Sequence, residues 1–469
     1  MKALHLLPAA AAALLIGGCS SMAPRHERPA APVPATFPNA DASTAGAATP
    51  AADLAWQDFF ADARLKRLIA IALANNRDLR VAALNIEQAR AQVDVRRADL
   101  WPTLNAGLTA ARQPTAGGAL ARSWQAGLVV TGYELDLFGR VRSLGDAALA
   151  QYLGTEEARK AAQISLVATV AATHLALQVD DELLRITRQT LATREDSLRL
   201  TRLKFDNGVS SELDLRQAES LLEAARVALA QQTRQRALDE NALTLLLGQP
   251  LPADLPAPVA FPSDAGLPDV PAGVPSEVLT RRPDVRQAEQ QLVAANANIG
   301  AARAAFFPRI ALTTSAGSAS RELSGLFESG SFAWTWTAQL LQPIFDAGRN
   351  EANLSIAKTG REIAVAQYER AIQSAFREVA DALAGRATLD EQLRAQAAQT
   401  RAEQRRFELA DLRYRNGAAS YLDVLDAQRS LFTAQQQLVQ VQAQQVQSRV
   451  TLYRVLGGGW DAGSEAPPR

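Results

Sequence analysis

The stretch from Lys204 to Asp214, "KFDNGVSSELD", returns 209 residues later as "RYRNGAASYLD", Arg413 to Asp423. Both copies carry side chains suited to hydrogen-bonding and ionic work. Asn207-Gly208 and Asn416-Gly417 are helix stop signals, because glycine just past the last turn takes a left-handed conformation that other residues resist. Ser211 with Asp214, and Ser420 with Asp423, have the Ser-x-x-acid spacing of a capping box at a helix start. Beyond the caps the copies part: Asp426 and Arg429 in the second stand where the first has Gln217 and Ser220. A residue that only builds the turn should recur in both copies. Asp426 and Arg429 are therefore candidates for an ionic contact particular to the second hairpin, against the alternative of a solvated helix face. For Asp423, capping and a further task both stay open.

Other chemistry lacks its materials. The 469-residue chain has one Cys (Cys19) and three His (His5, His26, His174), and no Gly-rich phosphate loop. A metal centre, a thiol active site and a nucleotide-using enzyme are therefore not expected, nor any catalytic residue or cofactor. His174 stands alone in a helical stretch. The formal net charge is zero, which gives no reason to expect nucleic acid as a partner. Cys19 closes an apolar run from Ala3 to Ile16 that follows Lys2. The run is shorter than the ~20 residues a spanning helix needs, so residues 1–18 read as a signal peptide. "IGGCS" resembles the lipobox of bacterial lipoproteins, which implies cleavage before Cys19 and a covalent lipid on its thiol; Ser20 after it favours the outer membrane. Residues 19–60 then form a lipid-anchored, Pro/Ala-rich tether of extended character.

The elements that position the tips come from a duplication. Gly139-Arg140 matches Gly348-Arg349 and Leu247-Gly248 matches Leu456-Gly457 at a spacing of 209, while Asp78 and Pro102 match Asp284 and Pro308 at 206. The first structural repeat covers residues 61–249 and the second 276–457, with a Pro-rich linker at 250–275 and a tail at 458–469. Helical periodicity runs from Leu65 to Ala98. Pro-free stretches at 141–206 and 350–415 predict helices of about 100 Å each, at 1.5 Å per residue, leading to tips at 207–211 and 416–420. Leu177, Leu184, Leu191, Leu198 and Phe205 fall every seven residues, the period of a coiled coil. The helix after each tip is half as long, so two short helices stacked end to end would match one long one.

Alternating residues predict strands at about 103–112, 122–137, 309–320 and 331–345, the second less cleanly than the others. Phe332, Trp334 and Trp336 share one face, and small polar residues share the other. Four strands cannot close a barrel, and a sheet edge cannot stand open in lipid. If the strands span a membrane, several protomers must share one barrel with Phe332, Trp334 and Trp336 facing lipid; three would give twelve strands. The fold class is an α+β membrane protein, a duplicated unit of long coiled-coil helices plus two transmembrane strands.

With "ALANNRDLRVA" (Ala72 to Ala82), "YELDLFGR" (Tyr133 to Arg140), "PSEVLTRRPDVRQAEQQL" (Pro275 to Leu292), "QPIFDAGR" (Gln342 to Arg349) and "YLDVLDAQRSL" (Tyr421 to Leu431), the chain resembles the outer-membrane factor family of TolC-like exit ducts. It is closer to the lipoprotein branch that serves tripartite drug and metal efflux pumps. The resemblance implies a homotrimer forming a twelve-stranded β-barrel on a twelve-helix α-barrel, working with a periplasmic adaptor protein and an inner-membrane pump. It also implies that Asp423 lies near a closed periplasmic end and that Leu422 adds an apolar constriction there; together with the two charges that only the second copy carries, Leu422, Asp423, Asp426 and Arg429 are expected to form a gate. Three Asp426 carboxylates near the axis would make an acidic ring of the kind that favours cations. Export of proteins by a one-component secretion system is the alternative within the family. A periplasmic adaptor lipoprotein is the rival outside it, and the aromatic row at Phe332, Trp334 and Trp336 speaks against that rival.

Overall fold

The computed structural model describes residues 21–38, 51–114, 117–259, 261, 267–268 and 276–460. Cys19 and the signal segment lie outside the described residues. The chain forms two compact units, each drawing on both repeats: Met1–Ala31, Leu84–Glu157 and Arg286–Ala371 make one, and Pro32–Ala83, Ala158–Val285 and Ile372–Arg469 the other.

The first unit holds a four-stranded antiparallel sheet in the order β1-β2-β3-β4, with β1 at Leu104–Pro114, β2 at Leu120–Leu135, β3 at Arg309–Ser320 and β4 at Phe332–Leu341. Strand β2 of the first repeat pairs with β3 of the second. Directly opposed residues share a face. Leu104, Val130, Thr314 and Trp336 form one such row, Ala106, Leu128, Ala316 and Trp334 the next, and Leu108, Ala126, Ser318 and Phe332 a third. The other face carries Asn105, Val129, Ser315 and Thr335, and a row in which Gly107, Gly127 and Gly317 meet Ala333. A Cβ on Gly127 or Gly317 would strike the facing strand.

The uneven alternation of β2 has a physical cause. The register shifts between Val130 and Tyr133, where Gly132 takes a φ of 67°. This bulge puts one extra residue into β2 and returns Tyr133 to the apolar face beside Leu312. Strand β4 stops at Leu341 and not near 345 as expected, because Pro343 has no N–H to continue the ladder.

Helical boundaries follow the periodicity with one correction. The expected single helix from Leu65 to Ala98 is two, α1 (Ala63–Asn75) and α2 (Arg77–Ala98), broken where Asn76 is extended at φ −60° and ψ 131°. Asn76 Oδ1 accepts from Leu79 N at 2.9 Å, and its Nδ2 donates to Leu246 O at 3.0 Å, a carbonyl that the end of α4 (Glu212–Leu247) leaves free. A carboxamide thus joins the end of one helix to the start of the next. The second repeat repeats the joint: Arg282, just before α5 (Pro283–Ala304), donates from Nη1 to Val455 O at 2.8 Å, at the end of α7 (Tyr421–Val455). Each joint ties the end of one helix to the residue just before the start of another.

The long helices are α3 (Arg140–Asp206) and α6 (Arg349–Arg415), each of 67 residues. Helix α3 contains a stretch apolar enough to cross a membrane. Its length of about 100 Å at 1.5 Å per residue is far beyond a hydrocarbon core of ~30 Å, and Ile164, Val167, Val170 and Ala171 of that stretch are buried against protein. Of the heptad residues, Leu184 is buried and Phe205 is exposed at the tip. Linker residue Phe261 packs with Leu175, Ile186 and Val439 in the second unit. His174 does not stand alone: its Nε2 lies 2.9 Å from Asp62 Oδ2, on the acid that caps α1.

Candidate functional site

Both tips are built by the same local chemistry. Gly208 (φ 71°) and Gly417 (φ 74°) take the left-handed conformation that ends α3 and α6. Asn207 Nδ2 donates to Leu203 O and Asn416 Nδ2 to Leu412 O, each at 2.7 Å, and the backbone N–H of the same asparagine donates to the same carbonyl at 3.3 and 3.2 Å, so the side chain doubles the last bond of each helix. The restart is a reciprocal capping box in each copy. Ser211 Oγ accepts from Asp214 N at 3.1 Å and Ser420 Oγ from Asp423 N at 3.4 Å, while the two carboxylates accept from the serine backbone N–H groups at 3.3 and 3.2 Å. Asp423 therefore spends its carboxylate on the cap, and no ion pair engages it among the described residues. Leu422 is 57% exposed, and Leu213, its counterpart in the first copy, is 66% exposed, so an outward leucine belongs to both tips.

The copies differ where the sequence says they should. Asp426 Oδ1 accepts from Arg429 Nη2 at 2.7 Å, one turn along α7, and Oδ2 pairs with Arg406 Nη2 on α6. Arg406 also meets Glu403 at 3.2 Å. The hydrogen bonds from Arg429 and Arg406 hold the Asp426 carboxyl below the usual carboxylate range, and those from Asp426 and Glu403 raise Arg406. The cluster is a latch between the two helices of one hairpin. Two acids meet two arginines, so Asp426 is not the uncompensated carboxylate that an acidic ring requires. Sequence reasoning missed Arg406. The signal was available in the duplication, since its counterpart in the first copy is Ser197.

At the same level the first hairpin is held differently. Arg194, the counterpart of Glu403, is buried, donates from Nη1 to Leu221 O at 2.7 Å and lies 5.3 Å from the Phe432 ring. The hairpins meet through Ala218, Tyr421, Val424 and Leu425, with Leu198, Leu221 and Phe407 packed against them. Lys204 Nζ donates to Tyr414 OH at 2.8 Å across the pair. The first hairpin thus adds a buried arginine to an exposed pair between its helices, Arg202 with Glu219 at 2.8 Å, whereas the second ties its helices through Asp426 and Arg406.

A sheet with one apolar face and two unpaired edges, joined to paired helical hairpins, defines an α+β channel subunit of the outer-membrane type. The family model for outer membrane efflux proteins matches residues 68–249 and 274–458. The chain belongs to that family. It is 48% identical over 464 residues to the toluene efflux pump outer membrane protein TtgC of Pseudomonas putida, covering 97% of this chain and 96% of the relative. Among solved structures, it is similar to a membrane protein from Pseudomonas aeruginosa, at 46% identity and a TM-score of 0.87 over 95% of this chain and 99% of that one. The open state of the MtrE outer membrane channel of Neisseria gonorrhoeae matches at 41% identity and a TM-score of 0.85, over 94% of this chain and 98% of that one. The protein is an outer-membrane efflux component, with localisation and class of function to match.

Proposed function

We propose that three copies of the chain form a passive channel that carries small organic molecules out across the outer membrane. The copies receive them from a periplasmic adaptor and an inner-membrane pump, and each is anchored by lipid on Cys19. The observation that carries this reading is the sheet. Strands β1 and β4 are both edges, and Phe332, Trp334 and Trp336 are 72, 68 and 63% exposed. The aromatic face suits lipid, but the two edges cannot stand alone there, because unpaired backbone groups have no partner in hydrocarbon. Joining β1 of one copy to β4 of the next removes every edge and leaves the face with Asn105, Ser315 and Thr335 around a lumen.

The duct performs no reaction of its own; its work is to open and close. The Asp426–Arg406–Arg429 latch, with Leu422 and Asp423 beside it, holds the second hairpin of each copy in the closed position. A partner that moves this hairpin opens the mouth. Names of relatives such as TtgC point to apolar organic cargo, and the wide conduit leaves substrate choice to the pump. Purified protein should migrate as a heat-modifiable trimer and conduct in planar bilayers, and loss of the gene should raise sensitivity to toluene. A monomer without conductance would refute the reading.

A further inference from the structure

The described chain begins at Ser21, two residues after Cys19, and its first stretch is bound to the first unit. Arg28 grips Glu289 through Nε and Nη2 at 2.7 and 2.9 Å. His26 Nδ1 lies 3.3 Å from Asn296 Nδ2, and Arg361 Nε holds Asn296 Oδ1 at 2.9 Å. Arg303 Nη1 donates to Met22 O at 3.0 Å, and Ser21 Oγ lies 3.3 Å from the buried Ser143 Oγ. Gly300 makes the close approach possible, since a Cβ there would sit 2.7 Å from Ala23 N.

These contacts climb α5 while the segment descends. From Glu289 to Arg303 the helix rises about 21 Å at 1.5 Å per residue. From Arg28 back to Met22 an extended chain covers about 20 Å. The segment is therefore an extended strap, antiparallel to α5 along one stripe. Because α5 leads directly into β3, the strap brings its N-terminal end to the base of the sheet.

At that end, Ser21 and Met22 meet Arg303, Phe306, Phe307 and Leu354 around an open groove of about 490 Å³. Phe307 stacks on Phe138 with ring centroids 4.8 Å apart, so one wall is rigid. Phe306 and Phe307 remain 41 and 42% exposed. A cavity of about 150 Å³ holds a benzene molecule, so the groove has room for a stretch of hydrocarbon chain. Two residues of extended chain reach at most about 7 Å, which puts the Cys19 thiol within range of the groove from Ser21.

We propose that this groove seats an acyl chain carried by Cys19. The inference rests on the reading of Cys19 as lipidated and goes beyond it: the lipid packs against the protein at the foot of its own sheet, as well as entering the bilayer. Strap and acyl chain together make the anchor part of the fold.

The test uses the full chain in bacterial membranes fed a fatty acid that bears a photoactivatable diazirine. Peptide masses first report whether Cys19 is acylated. An unmodified Cys19 removes the lipid reading itself. With Cys19 acylated, irradiation is expected to yield a conjugate joining the Cys19 peptide to the peptides with Phe306-Phe307 or Leu354. Phe306→Ser with Leu354→Ser should lower that yield several-fold in protein that still migrates as the wild type does. If that variant fails to fold, the map on the native sequence decides. Acylated Cys19 with conjugates to phospholipid alone overturns the seat while leaving the lipid in place.

Discussion

Asn76 Nδ2 and Arg282 Nη1 donate to equivalent carbonyls, Leu246 O at 3.0 Å and Val455 O at 2.8 Å. The donors stand 206 residues apart and the acceptors 209. Duplication kept the joint between helices and changed its chemistry. Asn76 does its work with one carboxamide. Arg282 adds a fork on Asp284 at 3.0 and 2.7 Å and a bond to Glu378 at 3.0 Å, which compensates a guanidinium that is otherwise buried.

Arg282→Ala should therefore destabilise the protein by about 1–3 kcal/mol, because a carbonyl at a helix end and two acids lose their donor together. Arg282→Lys should recover only part of this, since an ammonium cannot span carbonyl and carboxylate with one planar fork. Thermal unfolding in detergent measures both. An unchanged midpoint for Arg282→Ala would refute the joint's contribution.

The latch at the second tip should be weak pair by pair, because exposed ion pairs are each worth about 1 kcal/mol or less. Asp426→Ala or Arg406→Ala should raise single-channel conductance at neutral pH modestly, and Asp426→Ala with Arg429→Ala more. The folded Asp426 carboxyl is held below the ordinary value near 4 by Arg429 and Arg406. Its contribution is thus present above about pH 4 and lost as pH falls through the lowered value. Wild-type conductance should climb on acidification into that range, and Asp426→Ala should remove the climb.

Asp180 shows the opposite sign. Burial, then the neighbouring Asp239 and Asp181, push its carboxyl up to about 7. Arg236 is turned to Asp181 at 2.6 Å and Glu240 at 2.7 Å, and Asp180 Oδ2 has no hydrogen-bond partner among the described residues. The counterparts in the second copy are Leu389 and Ser448, in place of Asp180 and Asp239. A folded value raised above the unfolded one gives stability that is full below about pH 4 and lost as pH rises through 7. The unfolding midpoint should fall between pH 5 and pH 8, and Asp180→Asn should flatten the dependence.

The two faces of the sheet predict unequal tolerance. Trp336→Arg places a charge on the apolar face, at ~2–4 kcal/mol near the bilayer midplane and less toward its edges. Thr335→Arg places it on the polar face. Yield of heat-modifiable trimer from outer membranes should drop for the first and hold for the second; equal yields would contradict the assignment of faces.

Periodicity carried most of the fold into the sequence. A strand alternates every second residue and a helix every three or four, so β1, β3, α3 and α6 were legible from side-chain type alone. Asn76 was not, because apolar spacing continues through it and nothing local reveals that Leu246 O awaits a donor. The bulge at Gly132 was visible as imperfect alternation, and its purpose appeared only when Tyr133 was seen beside Leu312. At the tips, Asn-Gly and Ser-x-x-Asp determined turn and cap, since each involves neighbours within five residues.

The sequence by itself determined the duplication, the hairpin tips, and the fact that four strands with an aromatic face need further copies. Tertiary structure decided what Asp426 does. An acid on a helix surface can face solvent, an axis or a neighbour, and Arg406 lies 20 residues away on another helix. Only the packing of α6 on α7 brings that guanidinium within reach, because charge contacts depend on distance in space and sequence spacing fixes it only within one helix.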